Sequence, residues 1–63
     1  MKYTYYKNEF YVLRVWKRKN GVYFQVHLKG VREWSPPLYI ELNEWKNKRL
    51  KRITKEQAFL ELL

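Results

Sequence analysis

The chain has 63 residues, enough for one small hydrophobic core, so a single domain spanning residues 1–63 is predicted. Cysteine is absent, which excludes a disulfide framework and a thiolate metal site. Aspartate is also absent, so the single histidine, His27, has no aspartate that would help it to bind zinc. The net charge of +8, from 14 basic and 6 acidic residues, favours a polyanionic partner: nucleic acid, an anionic membrane or an acidic protein surface.

The basic residues are clustered rather than evenly spread. Lys17, Arg18 and Lys19 are consecutive, and six further basic residues lie between 46 and 55. Clustered charge favours a bound partner over charge that serves only to keep the chain in solution. No apolar run approaches the roughly 20 residues needed to cross a bilayer, and residues 1–7 lack the apolar segment of a signal peptide, so a cytoplasmic protein is expected.

The first predicted element is a short edge strand. Residues 2–7 are rich in tyrosine, and Asn8 and Glu9 follow as a turn that returns the chain antiparallel to the next strand. In the expected pairing, Tyr3 lies beside Arg14.

The strongest local signal is a hairpin. Residues 10–18 and 22–29 each alternate in polarity, and Asn20 and Gly21 lie between them. This dipeptide is typical of a type I′ turn, in which both central residues need a positive φ. The sequence therefore predicts two long antiparallel strands joined by a two-residue turn.

The register of the hairpin follows from this turn. A two-residue loop at Asn20 and Gly21 places Lys19 opposite Val22. A three-residue loop would move the pairing by one residue and place cations in the apolar row, so the two-residue register is favoured.

The two faces of the hairpin differ in composition. We call one the aliphatic face, which is predicted to point into the core; it carries Leu13, Val15, Phe24, Val26 and Leu28, with Lys17 near the turn. We call the other the basic-aromatic face; it carries Arg14, Trp16, Arg18, Tyr23, Gln25 and His27. This difference predicts that the first face is covered by the rest of the chain and the second is open.

Residues 31–37 follow as a predicted loop that carries Trp34. Residues 38–42 alternate in polarity, which fits a half-buried strand. The alternative is a helix that begins at Ser35 and Pro36, because these are a suitable N-cap and first helical residue. The strand is favoured over the helix. Either element would support the hairpin, which alone is only marginally stable.

The C-terminal third predicts one helix. Residues 43–48 read as a polar loop and residues 49–53 as a short basic connection. Thr54 and Gln57 have capping-box spacing, and the apolar residues after them indicate a helix that must dock to be stable. The helix is expected to dock on the aliphatic face. The predicted fold is therefore α+β, a small antiparallel three- to four-stranded meander with a C-terminal helix packed on one face.

Nothing in the sequence indicates catalysis. Ser35, the only serine, precedes two prolines and has no nearby base, and a single histidine on a strand is usually a surface polar residue. Glu41 and Glu44 have no neighbours that indicate an acid-base pair or a metal site. The two glycines cannot build a glycine-rich phosphate loop. We predict that the protein is not an enzyme and uses no cofactor or metal.

The basic-aromatic face suits nucleic acid. Cations bind phosphates, the arginine fork and the glutamine amide bind base edges, and aromatic rings stack on unpaired bases. The predicted nucleic-acid-binding residues come from this face, the turn and the end of the second hairpin strand: Arg14, Trp16, Lys17, Arg18, Lys19, Tyr23, Gln25, His27 and Lys29. DNA is favoured over RNA, and duplex and single strand remain alternatives. Packing within the sheet is the other role open to each of these side chains.

A second hypothesis uses the same surface for a protein partner. Tryptophan, tyrosine and arginine dominate protein-binding hot spots, so a small accessory or inhibitor protein could bind an acidic protein through these residues. Binding of free nucleic acid would distinguish the two hypotheses. A membrane partner is not predicted, because the basic stretch and the final apolar helix do not form one long amphipathic segment. Exposed edge strands leave self-association open.

Residues 20–26, 48–55 and 56–62 resemble the arm-type DNA-binding domain found at the N-terminus of tyrosine integrases. The resemblance covers residues 10–63 and implies a three-stranded antiparallel sheet against a C-terminal helix, with a sheet face laid in the DNA major groove. The strand positions that match its groove-facing residues are Arg14, Trp16, Arg18, Tyr23, Gln25 and His27. Those domains usually precede a catalytic domain, whereas this chain ends at Leu63, as expected of a fragment or of a free-standing phage or mobile-element product.

Overall fold

The computed structural model describes residues 2–46 and 49–63 and shows an α+β domain. Its elements in chain order are β1 (Thr4–Lys7), β2 (Tyr11–Arg18), β3 (Gly21–Leu28), β4 (Leu38–Ile40), α1 (Leu42–Trp45), β5 (Lys51–Ile53) and α2 (Lys55–Glu61). Within the described residues the strands form one antiparallel sheet of five, in the order β4-β3-β2-β1-β5. The predicted fold class and C-terminal helix are confirmed, with five strands instead of three or four.

The β2–β3 hairpin is present, but its turn differs from the predicted one. Arg18 pairs with Gly21, so Lys19 and Asn20 form the turn, and the prediction that Asn20 and Gly21 do so is wrong. Gly21 lacks the positive φ that a type I′ turn would require. Glycine is needed at this position for a steric reason, because an added Cβ would lie 2.6 Å from the hydroxyl oxygen of Tyr39.

The change of register amounts to two residues. Because side chains alternate with a period of two, each one keeps its predicted face. Trp16 lies opposite Tyr23 on the basic-aromatic face. The β1–β2 register differs by the same amount, since Tyr5 lies opposite Arg14 where Tyr3 was predicted.

Asn8 allows β1 to turn into β2 without a glycine. Its side-chain oxygen accepts hydrogen bonds from the backbone N–H groups of Phe10, at 2.8 Å, and Tyr11, at 3.0 Å. Its own backbone N–H donates to the carbonyl of Tyr11 at 3.1 Å. This local hydrogen bonding is the reason that asparagine is favoured in turns.

β5 lies in the segment predicted to be a basic connection. It pairs with β1, with Ile53 opposite Tyr5 and Lys51 opposite Lys7. β1 is therefore an interior strand rather than an edge strand, so both predictions are wrong. Three residues are too few to show a strand pattern, and the unpaired backbone groups along β1 decide the pairing.

Residues 38–42 divide between two elements. β4 forms at the start, as favoured, and pairs with β3 so that Tyr39 lies opposite Tyr23. α1 begins at the end of this segment and replaces the polar loop predicted over residues 43–48, so that prediction is wrong at 43–45; residues 47 and 48 lie outside the described residues. A tertiary contact accounts for the helical turn, because the Trp45 ring packs against Tyr6 on the aliphatic side, with a centroid separation of 5.2 Å.

α2 begins as predicted, with a capping box. The Thr54 hydroxyl accepts a hydrogen bond from the backbone N–H of Gln57 at 3.1 Å, and the Gln57 side chain accepts one from the backbone N–H of Thr54 at 2.9 Å. The helix packs against β1, and Ala58 is buried in one cluster with Tyr5 and Val12. Since these residues lie on the basic-aromatic side, the predicted docking on the aliphatic face is wrong.

The residue that ends β5 explains where the helix docks. Ile53 lies opposite Tyr5 and is buried with it, and Thr54 alone separates β5 from α2, so the helix folds over that side of the sheet. The aliphatic face is covered instead by the chain between β4 and β5, through Trp45 and Leu50.

The sheet consequently has a small hydrophobic core on each face. The buried residues are Tyr5, Val12, Ile53 and Ala58 on one face and Leu13, Val15 and Val22 on the other. α2 covers the basic-aromatic face near β1 and leaves the hairpin-turn end of β2 and β3 partly exposed. Neither of the helices in the described residues is long and apolar enough to cross a membrane.

Candidate nucleic-acid interface

Four aromatic rings form a continuous row across the exposed end of the basic-aromatic face. We call this set, which consists of Tyr3, Trp16, Tyr23 and Tyr39, the aromatic row. The ring centroids are 5.6 Å apart for Tyr3 and Trp16, 6.0 Å for Trp16 and Tyr23, and 5.3 Å for Tyr23 and Tyr39. Cross-strand pairing produces this row, because Trp16 and Tyr39 each lie directly opposite Tyr23.

The aromatic row is accessible to solvent. Tyr3, Trp16 and Tyr23 are half-buried, and Tyr39 is 42% exposed. The Tyr39 hydroxyl donates a hydrogen bond to the backbone carbonyl of Asn20, which fixes the ring over the hairpin turn. Partial removal of the phenol from water, with a smaller effect of Glu41, raises the pKa of Tyr39.

Arg14 and Gln25, two of the predicted binding residues, are held by internal contacts. Arg14 Nε donates to Gln25 Oε1 at 2.8 Å, and Gln25 Nε2 donates to the backbone carbonyl of Ser35 at 2.9 Å. The guanidinium carbon lies 4.7 Å from the ring centroid of Tyr3 and 4.3 Å from that of Trp34. This arrangement ties the loop after β3 to the sheet and supports one end of the aromatic row.

His27 lies in the covered part of the basic-aromatic face. It is 8% exposed, lies opposite Val12, and meets the Trp34 ring edge-on at a centroid distance of 5.0 Å. Its Nδ1 is 3.1 Å from the backbone carbonyl oxygen of Leu28. The ring therefore packs between the sheet and the loop and is shielded from a large ligand.

The hairpin turn supplies exposed cations beside the aromatic row. Arg18 and Lys19 are exposed and, with Asn20, Trp16 and Tyr23, line one open depression. The predicted cations Arg18 and Lys19 therefore lie beside the predicted ring residues Trp16 and Tyr23.

Lys17 is also exposed but points to the other side of the turn. It lines a second depression, which it shares with Trp16, Lys2 and Arg52. Thr4, Tyr6 and Val15 of the aliphatic face also line it, so Lys17 lies on the opposite side of the sheet from Arg18.

Lys29, the last predicted binding residue, lies at the far end of the sheet. Its Nζ is 3.4 Å from Glu61 Oε2, and Lys7 Nζ binds the other oxygen of the same carboxylate. The hydrogen bond from Lys7, reinforced by the charge of Lys29, lowers the pKa of Glu61. Lys29 therefore serves to fasten α2 to the sheet.

The structure adds residues that the sequence-based set omitted. Tyr39 completes the aromatic row. The alternation of residues 38–42 could have predicted this, because it places Tyr39 on the opposite strand face from its aliphatic neighbours. Arg52 and Lys55 line a third depression together with Tyr3. Their position beside the row depends on the pairing of β5 with β1, which gives no signal in the sequence.

Among residues 2–46 and 49–63 there is no group of three side chains of the kinds that hold a metal ion. Comparison with protein-family models, with curated proteins and with solved structures finds no match to this chain.

Proposed function

We propose that this domain binds nucleic acid without catalysis, with DNA as the expected ligand, through the exposed end of its basic-aromatic face. The observation that carries the proposal is the aromatic row flanked by exposed cations. Rings can stack on bases while cations contact phosphates, and these two contacts together are the usual basis of binding that tolerates sequence variation.

The proposed contacts divide by chemistry. Arg18 and Lys19 contact phosphates beside the row, and Lys17 reaches phosphates from the other side of the turn. Trp16 and Tyr23 pack against sugar or base. Each of these side chains lines an open depression, which supports a role in contact with a ligand.

The remaining predicted residues have a supporting role in this proposal. Arg14 and Gln25 fix the surface through their mutual hydrogen bond, His27 is buried, and Lys29 pairs with Glu61. The proposed contact set is therefore narrower than the set that the sequence predicts. The resemblance to arm-type domains remains a prediction, and it makes duplex DNA a necessary ligand in any test.

The test is the salt dependence of binding to labelled DNA. The double variant Arg18→Ala and Lys19→Ala is expected to bind more weakly and to lower the slope of log K against log salt by about 0.7 to 0.9 for each lost phosphate contact. Fluorescence anisotropy at four or more salt concentrations measures this slope.

A matched control removes the same charge elsewhere. Lys46→Ala with Lys51→Ala also loses two cations, but neither residue lines the depressions beside the aromatic row. We expect the control to keep most of the affinity. If both double variants lost affinity equally, binding would depend on net charge and not on this surface.

The second candidate is an acidic protein partner bound through the same side chains. The enrichment of tryptophan, tyrosine and arginine on the exposed surface favours it. Weak or absent binding to duplex DNA, single-stranded DNA and RNA at low salt would contradict the nucleic-acid proposal and direct the search to such a partner.

A further inference from the structure

We infer that the ligand of this surface is single-stranded nucleic acid, whose unpaired bases stack on the aromatic row. This inference rests on the proposed function and specifies its substrate class.

Two of the side chains suited to reading a duplex, Arg14 and Gln25, are already engaged. An arginine fork and a glutamine amide are the groups that recognise base edges in the major groove. Here Arg14 donates to Gln25, and Gln25 donates to the Ser35 carbonyl, so their polar groups are turned toward each other and the loop. What the exposed surface offers instead is aromatic rings. In a duplex the faces of the bases are stacked on one another, and only unpaired bases can stack on a protein ring.

The orientation of the rings also favours an unpaired strand. The Trp16 and Tyr23 rings are nearly parallel, at an interplanar angle of 17°, whereas Tyr3 meets Trp16 and Tyr39 meets Tyr23 edge-on, at 76° each. Trp16 and Tyr23 are therefore the rings on which bases would stack, and both line the open depression at the hairpin turn. Only unpaired bases have free faces for such a contact, because in a duplex each base is covered by its neighbours.

Cations flank the row where a phosphate backbone could meet them. Arg18 and Lys19 line one depression beside the row, and Arg52 and Lys55 line another together with Tyr3. A third depression, with Lys2, Lys17 and Arg52, shares Trp16 but is otherwise lined by residues of the aliphatic face. Among the described residues no carboxylate lines any of the three. The Tyr39 end of the row is different, because Glu41 lies close to it. The backbone is therefore expected to pass the Tyr3 and Trp16 part of the row, where phosphates meet cations alone.

The experiment compares ligands and ring variants. An oligothymidylate of about twelve nucleotides, which falls within the usual site size, a uridylate of equal length and a mixed-sequence duplex with the same number of phosphates are titrated at fixed salt. Single strands are expected to bind more tightly than the duplex. Tyr23→Leu is expected to weaken single-strand binding roughly tenfold or more, with an unchanged salt slope, because a ring contact is lost and the phosphate contacts stay.

Tyr23→Phe is the matched control, since it keeps the ring and loses only the hydroxyl; we expect it to bind like the unmodified protein. The pair Tyr3→Leu and Tyr3→Phe repeats the comparison at a residue outside the regular strands, in case the change at Tyr23 disturbs the sheet. Thermal unfolding of each variant checks the fold.

Tryptophan fluorescence adds a readout that does not depend on the tyrosine variants. Stacking of a base on Trp16 is expected to quench tryptophan fluorescence, and Trp16→Phe should abolish that response. Trp34 and Trp45 remain as internal references, because they pack against the Arg14 side chain and against Tyr6 respectively.

The outcomes distinguish failure of the single-strand inference from failure of the proposed nucleic-acid binding. A duplex affinity equal to or above that of the single strands, or equal single-strand affinities of the leucine and phenylalanine variants, overturns this inference and leaves the proposed function standing. Failure of all three ligands to bind at low salt overturns both.

Discussion

At the scale of single residues, Gly21 links the hairpin to the aromatic row. Its missing side chain leaves the space that the Tyr39 ring occupies, since an added Cβ would lie 2.6 Å from the hydroxyl oxygen and 2.7 Å from the ring carbon that carries it. The ring in turn contacts Tyr23 and donates to the Asn20 carbonyl. A glycine on β3 thus decides whether the fourth ring can join the row.

Gly21→Ala is therefore expected to destabilise the protein. The Tyr39 ring must move and give up its contacts, at a cost of about 1 to 2 kcal/mol in the free energy of unfolding. In a Tyr39→Ala background the clash is absent, and the same change should stabilise by up to about 1 kcal/mol, because alanine restricts the unfolded chain. Denaturant unfolding of the four proteins measures this coupling. The same effect in both backgrounds would contradict the role assigned to Tyr39.

At the scale of elements, α2 depends on its first turn. The helix spans Lys55–Glu61, which is too short to be stable alone, and it is held by the capping box at Thr54 and by the burial of Ala58. Its position over Tyr5 and Val12 closes one of the two small cores.

Thr54→Ala should lower the free energy of unfolding by about 1 kcal/mol, because the backbone N–H of Gln57 loses its partner at the helix start. Thr54→Ser, which keeps the hydroxyl, is the control and should cost much less. Urea denaturation followed by circular dichroism measures both. If the serine variant were as unstable as the alanine variant, the methyl group and not the cap would be responsible.

At the scale of the whole molecule, one carboxylate joins three parts of the fold. Glu61 at the end of α2 binds Lys7 on β1 and Lys29 after β3. These contacts lower its pKa from the ordinary value of 4.5. A carboxyl group with a lower pKa in the folded state stabilises the fold above its unfolded pKa, and this stabilisation is lost as the pH falls through the folded value.

Glu61→Gln is therefore expected to weaken the loss of stability as the pH falls below the ordinary glutamate pKa of 4.5, because the variant has no proton to take up at this position. Glu56→Gln, in the exposed first turn of the same helix, is the control and should retain the loss seen in the unmodified protein. Free energies of unfolding measured at several pH values test this. Matching pH profiles for the two variants would show that the pairing contributes nothing.

Short-range patterns predicted most of the elements and the polarity of the sheet faces. The alternation of β2 and β3 assigned each side chain to its face, and this assignment survived a register change of two residues because the strand period is two. The capping box located α2, since its hydrogen bonds join residues three apart. Three rings of the aromatic row, at Tyr3, Trp16 and Tyr23, were likewise expected on one face.

The sequence by itself determined the α+β class, the composition of each sheet face and the start of α2, because these depend on neighbours along the chain. Only the tertiary structure decided the pairing of β5 with β1, the side on which α2 docks, and the burial of His27. It also decided that Arg14 bonds to Gln25 across the hairpin and that Tyr39 completes the row. The physical reason is that these contacts join residues far apart in sequence, and the competition between alternative partners is settled by packing and by hydrogen bonds that no local pattern records.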